Sequence, residues 1–204
     1  MTTFIWDLDG TLIDSYDVFV KALAATFSDY GWDFDSQAAR AYILKYSTHQ
    51  FLKEQPVPFD EIHAKFSSYS VKWNSEIKLM DGAREVLDWT QRQGIRNFLI
   101  THKGNNAFDL LEQLKVGHYF EEVITGETGF ARKPNPQSAD FLIEKYHLDR
   151  ASTYYLGDRP LDIDFAHNAG IRSINFLPAV DSIRIQKLTD LVTIFQKKTE
   201  NKDK

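Results

Sequence analysis

The chain contains no cysteine, and this absence excludes several kinds of chemistry. Disulfide bonds, zinc sites built from thiolates and cysteine nucleophiles all require that residue. A chain without cysteine is also suited to a reducing compartment, so we expect a cytoplasmic location.

The chain also lacks an excess of basic residues. Its 24 Lys and Arg residues are outnumbered by 29 Asp and Glu residues, which gives a formal net charge of -5. Such a chain has no positive field that could hold a nucleic-acid backbone. We therefore expect a small or locally bound ligand and no nucleic-acid partner.

Long apolar runs are a third absence. No stretch approaches the length that crosses a bilayer. The N-terminus, MTTFIWDLDG, has no basic segment followed by a longer apolar one, as a signal peptide would have. We therefore expect no membrane association. Residues 197–204, KKTENKDK, are predicted to form a frayed, solvated end.

The most informative stretch is IWDLDGTLID, residues 5–14. An apolar run that ends at Trp6 is followed by Asp7 and Asp9, and Gly10 then breaks the extended pattern. This predicts a buried strand that carries two carboxylates to its C-terminal end, where ligands bind in open α/β sheets. Taken alone, the pattern fits an acidic turn equally well, because Asp and Gly are ordinary turn residues.

The next segment, residues 16–79, shows helical periodicity and no strong strand pattern. Apolar residues recur at helical spacing on either side of Pro56 and Pro58. We therefore predict a small helical domain, residues 16–79, inserted into a core domain formed by residues 1–15 and 80–204. The predicted helical stripes are Val18, Phe19, Ala22 and Ala25, then Ala38, Ala41, Tyr42 and Lys45, then Ile62, Phe66, Tyr69 and Trp73.

Strands and amphipathic helices alternate after the helical segment. Asp81 is predicted to be the N-cap of the first helix there, and Gly94 its left-handed C-terminal residue. The alternation predicts an α/β core with a parallel sheet and helices on both faces. The predicted strands are residues 96–101, 122–125, 153–157 and 172–177.

Polar residues recur near the ends of these strands, and parallel strands bring such ends to one edge of a sheet. The carboxylates of Asp7, Asp9, Asp158 and Asp162 would lie together there. Each pair would repel by about 4 kcal/mol at roughly 4 Å and an effective dielectric of about 20. A divalent cation relieves this repulsion, and an all-oxygen ligand set favours Mg²⁺. Taken singly, each residue also fits a capping, strand-end or solvated role. The residues are Asp7, Asp9, Thr101, Lys133, Asp158 and Asp162.

These residues lie in motifs that resemble those of the haloacid dehalogenase (HAD) superfamily. The motifs are DLDGTL at residues 7–12, Thr101, Lys133 within KPNP, and GDRPLD at residues 157–162. More narrowly, the chain resembles the phosphoglycolate phosphatase and β-phosphoglucomutase-like branch, in which a helical cap follows the first motif. The resemblance covers residues 3–178 and implies a Rossmann-like parallel sheet with an inserted all-helical cap domain.

The resemblance also implies a Mg²⁺-dependent phosphatase that hydrolyses a small phosphorylated metabolite. Asp7 would attack phosphorus and become a phosphoaspartate, while Asp9 would act as general acid and base. Thr101 and Lys133 would bind phosphoryl oxygens. The implied metal site consists of Asp7, Asp158, the backbone carbonyl of Asp9, and Asp162, which would orient a metal-bound water.

Residues that could contact the rest of the substrate are less clearly marked. His102 and Lys103 follow the second strand, and His102 stands where many members of the superfamily have asparagine. In the cap, a candidate specificity loop is formed by Tyr46, Ser47, Thr48 and His49, flanked by Lys45 and Lys53. The alternatives are a surface or packing histidine and a polar helix end.

Two other functions remain open. A phosphomutase would use the same nucleophile, and it would need basic cap residues such as Arg40 or Lys45 to hold a second phosphate. A phosphorylation switch similar to receiver domains would also combine an acidic cluster with a threonine and a lysine. The switch is disfavoured because Asp7 lies on the first strand and a large insertion follows it. The sequence supports no prediction of the oligomeric state.

Overall fold

The computed structural model describes residues 1–200, and for residues 197–200 it describes the backbone alone. The predicted frayed end, residues 197–204, therefore lies outside the residues whose side chains are described. The chain divides into a larger unit, Met1–Ile13 with Leu79–Lys204, and a smaller unit, Asp14–Lys78. In the part of the chain that is described, no helix is both long and apolar enough to cross a membrane.

The larger unit is built on a parallel sheet. The strands of the chain are β1 Thr3–Trp6, β2 Ile13–Asp14, β3 Lys78–Leu79, β4 Arg96–Ile100, β5 Glu122–Ile124, β6 Thr153–Gly157, β7 Arg172–Asn175 and β8 Ser182–Arg184. Six of them form one sheet in the order β5-β4-β1-β6-β7-β8, and β2 pairs with β3. Every neighbouring pair in the large sheet is parallel, which confirms the predicted α/β fold.

Helices alternate with the strands of the large sheet. The helices of the chain are α1 Tyr16–Asp29, α2 Ser36–Lys45, α3 Thr48–Lys53, α4 Phe59–Lys72, α5 Ala83–Arg92, α6 Asn106–Gln113, α7 Gln137–Tyr146, α8 Pro160–Asn168 and α9 Asp190–Glu200. Short 3-10 helices span Asn74–Glu76, Gly117–Tyr119 and Arg150–Ser152. Helices α1 to α4 belong to the smaller unit, and α5 to α9 belong to the larger one.

Strand β1 is central in the sheet, and its sequence explains this position. Phe4, Ile5 and Trp6 are completely buried, as expected for a strand covered on both faces. Strand β1 pairs with β4 on one side and with β6 on the other. The indole Nε1 of Trp6 donates to Asn97 Oδ1 at 2.8 Å, so its polar atom is satisfied inside the core. The residues that follow β1 therefore lie at the middle of the sheet edge.

Two details at the ends of α5 test the capping predictions. Gly94 has a φ of +65° just beyond the helix, which confirms the predicted left-handed residue. The prediction for Asp81 is wrong, because Gly82 occupies the N-cap position with a φ of +78°. A Cβ atom on Gly82 would lie 2.7 Å from Thr189 Cγ2, so a side chain has no room there.

The last two strands depart from the prediction. The predicted strand 172–177 ends at Asn175, whose Oδ1 accepts the N–H of Leu177 at 2.8 Å and turns the chain out of the sheet. Strand β8 lies outside every predicted strand. Because it contains a single apolar residue, Ile183, it shows no alternating pattern from which it could be predicted.

The smaller unit has its own hydrophobic core. The predicted stripes of α1 and α4 are confirmed in part, since Ala22, Ile62 and Phe66 are buried. The stripe predicted for α2 is wrong, because the helix buries Ala39 and Ile43. The large apolar side chain of Ile43 determines which face of α2 is buried, because Ala38 and Ala41 on the predicted face contribute little apolar area. The buried residues of this core are Tyr16, Ala22, Leu23, Ala39, Ile43, Leu52, Ile62 and Phe66.

Candidate active site

Three carboxylates meet at the C-terminal edge of the sheet. Asp7 follows β1 and Asp158 follows β6, and these strands are parallel neighbours. The N–H of Asp7 still donates to Leu156 O at 2.8 Å, which fixes Asp7 against β6. Asp162 comes from the first turn of α8. Carboxylate oxygens of Asp7, Asp158 and Asp162 lie within 4.8 Å of one another.

The ammonium group of Lys133 lies inside this cluster. Its Nζ is 2.7 Å from Asp7 Oδ1, from Asp162 Oδ1 and from the hydroxyl of Tyr155. An ammonium has three N–H donors, so these three contacts occupy all of them. Burial lowers the pKa of Lys133, but Asp162 and Asp7 outweigh it and the pKa is raised. Lys133 therefore stays charged and neutralises part of the acidic cluster.

Asp7 is the buried acid on which the site is centred. Burial raises its pKa to about 6, an effect that the neighbouring Lys133 opposes. Its Oδ1 is held by Lys133, whereas Oδ2 has no hydrogen-bond partner among the described residues. A buried carboxylate oxygen without a partner is costly unless a cation or ligand binds it. This oxygen and the all-carboxylate surroundings suit a hard divalent cation.

Asp162 is held in the cluster through both of its carboxylate oxygens. Its Oδ1 contacts Lys133, and its Oδ2 accepts the backbone N–H of Arg159 at 3.1 Å. Both oxygens are therefore engaged within the protein. The arrangement depends on Gly157, because a Cβ atom there would lie 2.3 Å from the Cβ of Asp162. A residue with a side chain at position 157 would push Asp162 away from Lys133.

Asp9, the second acid of the first motif, is half-buried and points to a different cation. Its Oδ1 lies 3.2 Å from Nζ of Lys103, whose side chain is almost completely buried. Gly10 follows with a φ of +80°, which a residue with a side chain rarely adopts, and turns the chain sharply after Asp9. The structure thus places Lys103 next to Asp9 and Lys133 next to Asp7.

Thr101 and His102 lie at the end of β4, next to β1. Thr101 is buried, and its Oγ1 accepts the N–H of Lys103 at 3.0 Å, which leaves the hydroxyl hydrogen available to an anion. His102 is half-buried, and its Nε2 accepts the backbone N–H of Lys133 at 2.9 Å. Thr101 fits the predicted phosphoryl contact, whereas the described contact of His102 is with the protein.

The predicted cap contacts lie in the smaller unit. Lys45 ends α2 and Tyr46 follows it, and both are exposed. The Nζ of Lys45 lies 4.9 Å from the centre of the Tyr46 ring. The predicted specificity loop is partly helical, since Thr48 and His49 begin α3 and Ser47 caps this helix by accepting the N–H of Gln50. Substrate binding by Lys45 and Tyr46 stays a prediction.

Tyr155 is a site residue that the sequence did not predict. It lies within β6 and is completely buried, and its hydroxyl also lies 3.3 Å from Ile100 O. An aromatic residue inside a buried strand is indistinguishable in sequence from an ordinary core residue. Burial and the nearby carboxylate of Asp7 hold the pKa of Tyr155 well above its usual value. The hydroxyl is therefore neutral and can accept from Lys133.

Comparison with known proteins finds relatives both by sequence and by structure. A phosphoglycolate phosphatase of Pseudomonas fluorescens is 27% identical over 184 residues, which cover 83% of this chain and 67% of that protein. A hydrolase from Streptococcus pneumoniae is 29% identical with a TM-score of 0.65, and the match covers 95% of this chain and 97% of that one. CbbY from Rhodobacter sphaeroides, solved in complex with phosphate, has the same fold, with 21% identity, a TM-score of 0.79 and coverage of 94% and 96%.

The sequence model for the haloacid dehalogenase-like hydrolases matches residues 4–176. The matched segment contains all four motifs on which the resemblance was based, from Asp7 to Asp162. The chain therefore belongs to the haloacid dehalogenase-like hydrolase family.

Proposed function

We propose that this protein is a Mg²⁺-dependent phosphatase that hydrolyses a small phosphomonoester through a phosphoaspartate on Asp7. The observation that carries the proposal is the state of the Asp7 carboxylate. One oxygen is held by Lys133 and the other has no partner among the described residues, so it can meet a cation or an electrophile. The relatives named phosphoglycolate phosphatase support a small phosphorylated substrate.

In the first half-reaction, a carboxylate oxygen of Asp7 attacks the substrate phosphorus. The bond from phosphorus to the ester oxygen breaks, and its electron pair stays with the leaving oxygen. Asp9 gives its proton to that oxygen, so an alcohol departs. Asp9 suits this task because it follows Asp7 by two positions and lies directly before the sharp turn at Gly10.

In the second half-reaction, water attacks the phosphorus of the phosphoaspartate. Asp9, now a carboxylate, takes a proton from this water. The bond from phosphorus to the Asp7 oxygen breaks, which releases inorganic phosphate and restores the Asp7 carboxylate. Both half-reactions are in-line displacements in which positioning and electrostatic stabilisation supply most of the rate.

Lys133 is expected both to orient the nucleophile Asp7 and to bind a phosphoryl oxygen. Its three N–H groups contact Asp7, Asp162 and Tyr155, so it first fixes the orientation of the nucleophile. A contact to a phosphoryl oxygen, as the sequence predicts, would require one of these three contacts to be exchanged. Thr101 can offer its hydroxyl hydrogen to a phosphoryl oxygen without losing the contact that it makes with Lys103.

Asp7 and Asp158 would hold the metal ion, together with the backbone carbonyl of Asp9. Bound Mg²⁺ would neutralise carboxylate and phosphoryl charge during transfer. Asp162 fits a supporting position, because both of its oxygens already contact the protein. This agrees with its expected role in orienting a metal-bound water rather than binding the ion directly.

We propose further that the smaller, helical unit is the cap that selects the substrate. Its exposed Lys45 and Tyr46 are the candidate contacts. Arg40, which a phosphomutase could use to hold a second phosphate, forms an ion pair with Asp17. No contact of the described residues favours a mutase over a phosphatase.

The test is release of inorganic phosphate from a panel of small phosphomonoesters, with Mg²⁺ or with EDTA. We expect Mg²⁺-dependent release that Asp7→Asn abolishes. Asp164→Asn is the matched control, because it makes the same change at an exposed acid of α8. The ranking of the esters then identifies the substrate class.

Two results would contradict the phosphatase. Release that persists in Asp7→Asn would mean that Asp7 is not the nucleophile. Conversion of a phosphorylated sugar to its isomer without phosphate release would identify a mutase.

A further inference from the structure

Lys133 is held at both ends by protein groups. Its ammonium contacts Asp7, Asp162 and Tyr155, and its backbone N–H donates to Nε2 of His102. We propose that His102 is a positioning residue, which sets the place of Lys133 and acts on the reaction through it. The inference rests on the proposed phosphatase function, and it replaces the expectation that His102 binds substrate.

The loop that carries Lys133 is tied to α8 by Asn168 Nδ2, which donates to Pro134 O at 2.9 Å, but its backbone has few donors of its own. Two of its residues, Pro134 and Pro136, have no N–H to donate. The N–H of Asn135 bonds within the loop, to Arg132 O at 3.0 Å. Lys133 is buried, so its own N–H needs an acceptor, and the acceptor is a side chain from a different loop. The ring of His102 therefore links this loop to the end of β4.

His102 is itself on a rigid support. The N–H of Gly126 donates to Lys103 O at 2.7 Å, which ties the loop after β5 to the loop after β4. A Cβ atom on Gly126 would lie 2.5 Å from His102 O, so the two backbones are in direct contact. On the other side, Thr101 accepts the N–H of Lys103. The backbone that carries the ring is thus held between the loop after β5 and Thr101 at the end of β4.

The contact also sets the chemical state of the ring. Nε2 can accept only when it carries no proton, so the imidazole is neutral here and its hydrogen is on Nδ1. A ring that supplied positive charge to a phosphoryl group would need the opposite state. The acceptor role and the absence of charge both point to alignment of Lys133 rather than to substrate binding.

The test uses the full chain with His102→Ala and His102→Gln. The side-chain oxygen of glutamine can occupy the place of Nε2 and accept the same N–H, whereas alanine cannot. Because small displacements of reacting groups are costly, we expect kcat for a phosphomonoester to fall about 10- to 100-fold in the alanine variant. We expect KM to change little, and the glutamine variant to regain most of the loss. His118→Ala, at an exposed histidine of the same unit, is the control.

Hydrogen exchange of the Lys133 amide supplies a measurement that needs no activity. We expect at least tenfold faster exchange in His102→Ala and near wild-type exchange in His102→Gln, with the Thr101 amide unchanged as reference. Unchanged exchange or unchanged kcat in the alanine variant overturns the proposal. So does a loss that glutamine does not restore, or a change confined to KM. A wild-type chain that releases no phosphate would refute the proposed function instead, and exchange would still decide whether His102 holds Lys133.

Discussion

Gly157 and Asp162 approach so closely that a Cβ atom on Gly157 would lie 2.3 Å from the Cβ of Asp162. The absence of a side chain at the end of β6 is thus what lets Asp162 reach Lys133 at 2.7 Å. The acidic cluster therefore depends on a glycine that carries no chemistry itself.

Gly157→Ala is expected to damage the site and the fold together. Overpacking of this kind costs about 1–3 kcal/mol, and the shift of Asp162 would remove one of the contacts that hold Lys133 beside Asp7. We expect at least a tenfold fall in kcat, measured by phosphate release, and a lower urea midpoint. Gly117→Ala is the control, because its Cβ would lie 3.7 Å from Leu111 Cβ, an ordinary contact. Equal activity of the two variants would mean that Asp162 needs no fixed position.

Tyr155→Phe removes one acceptor from the ammonium of Lys133 and leaves the packing of the ring. Since a buried donor that loses its acceptor costs about 1–3 kcal/mol, we expect a loss of stability in that range and a lower kcat. Tyr154→Phe, the next residue on β6, removes a hydroxyl that accepts from Arg172 at 3.0 Å, away from the carboxylates. Urea denaturation and phosphate release measure both effects. If Tyr154→Phe lowers kcat as much, the role assigned to Tyr155 is wrong.

Mg²⁺ is expected to stabilise the folded chain, because the three carboxylates are closer together than their charges favour. At about 100 times its Kd, a ligand adds about 2.7 kcal/mol, which corresponds to a rise in Tm of roughly 5–10 °C for a chain of this size. Asp158→Asn should remove most of this rise, and Asp164→Asn should keep it. The measurement is thermal unfolding with Mg²⁺ and with EDTA. A rise that survives in Asp158→Asn would place the ion elsewhere.

Residues that follow buried strands were predictable. Asp7 and Asp158 come directly after apolar runs, and parallel strands bring such positions together. Their local sequence determines their place, and the structure brings their carboxylate oxygens within 4.8 Å of each other. Asp7 also contacts Lys133 at 2.7 Å. The central strands were predictable because each is buried on both faces and therefore appears as an apolar run in the sequence.

Contacts set by tertiary structure were not predictable. Tyr155 has the sequence context of a core aromatic residue, and only the fold brings its hydroxyl to Lys133. His102 lies one residue after the predicted strand end, but whether it meets substrate or the Lys133 backbone depends on a loop thirty-one positions away. The face of α2 was mispredicted because Ala38 and Tyr42 have the same helical spacing as Ala39 and Ile43, the two residues that are buried.

The first residue of α9 provides a prediction about pH. Asp190 Oδ2 accepts the N–H groups of Gln186 and Lys187 at 2.8 and 3.1 Å, and these bonds lower the pKa of the carboxyl. A lowered folded-state pKa means that the ionised acid stabilises the fold above the unfolded value near 3.9 and loses this effect as the pH falls through the folded value. At pH 7 we expect Asp190→Ala to cost about 1–2 kcal/mol.

Asp190→Asn separates the charge from the hydrogen bonds, because its amide oxygen can still accept. We expect it to be less stable than the wild type at pH 7, with a difference that narrows as the pH falls below about 4. The alanine variant should keep part of its deficit at low pH, since a protonated Asp190 can still accept through one oxygen. Urea unfolding at pH 7 and at lower pH, with Asp164→Asn as a charge control, measures these differences. A deficit of Asp190→Asn that is the same at every pH would show that the charge of Asp190 does not stabilise the start of α9.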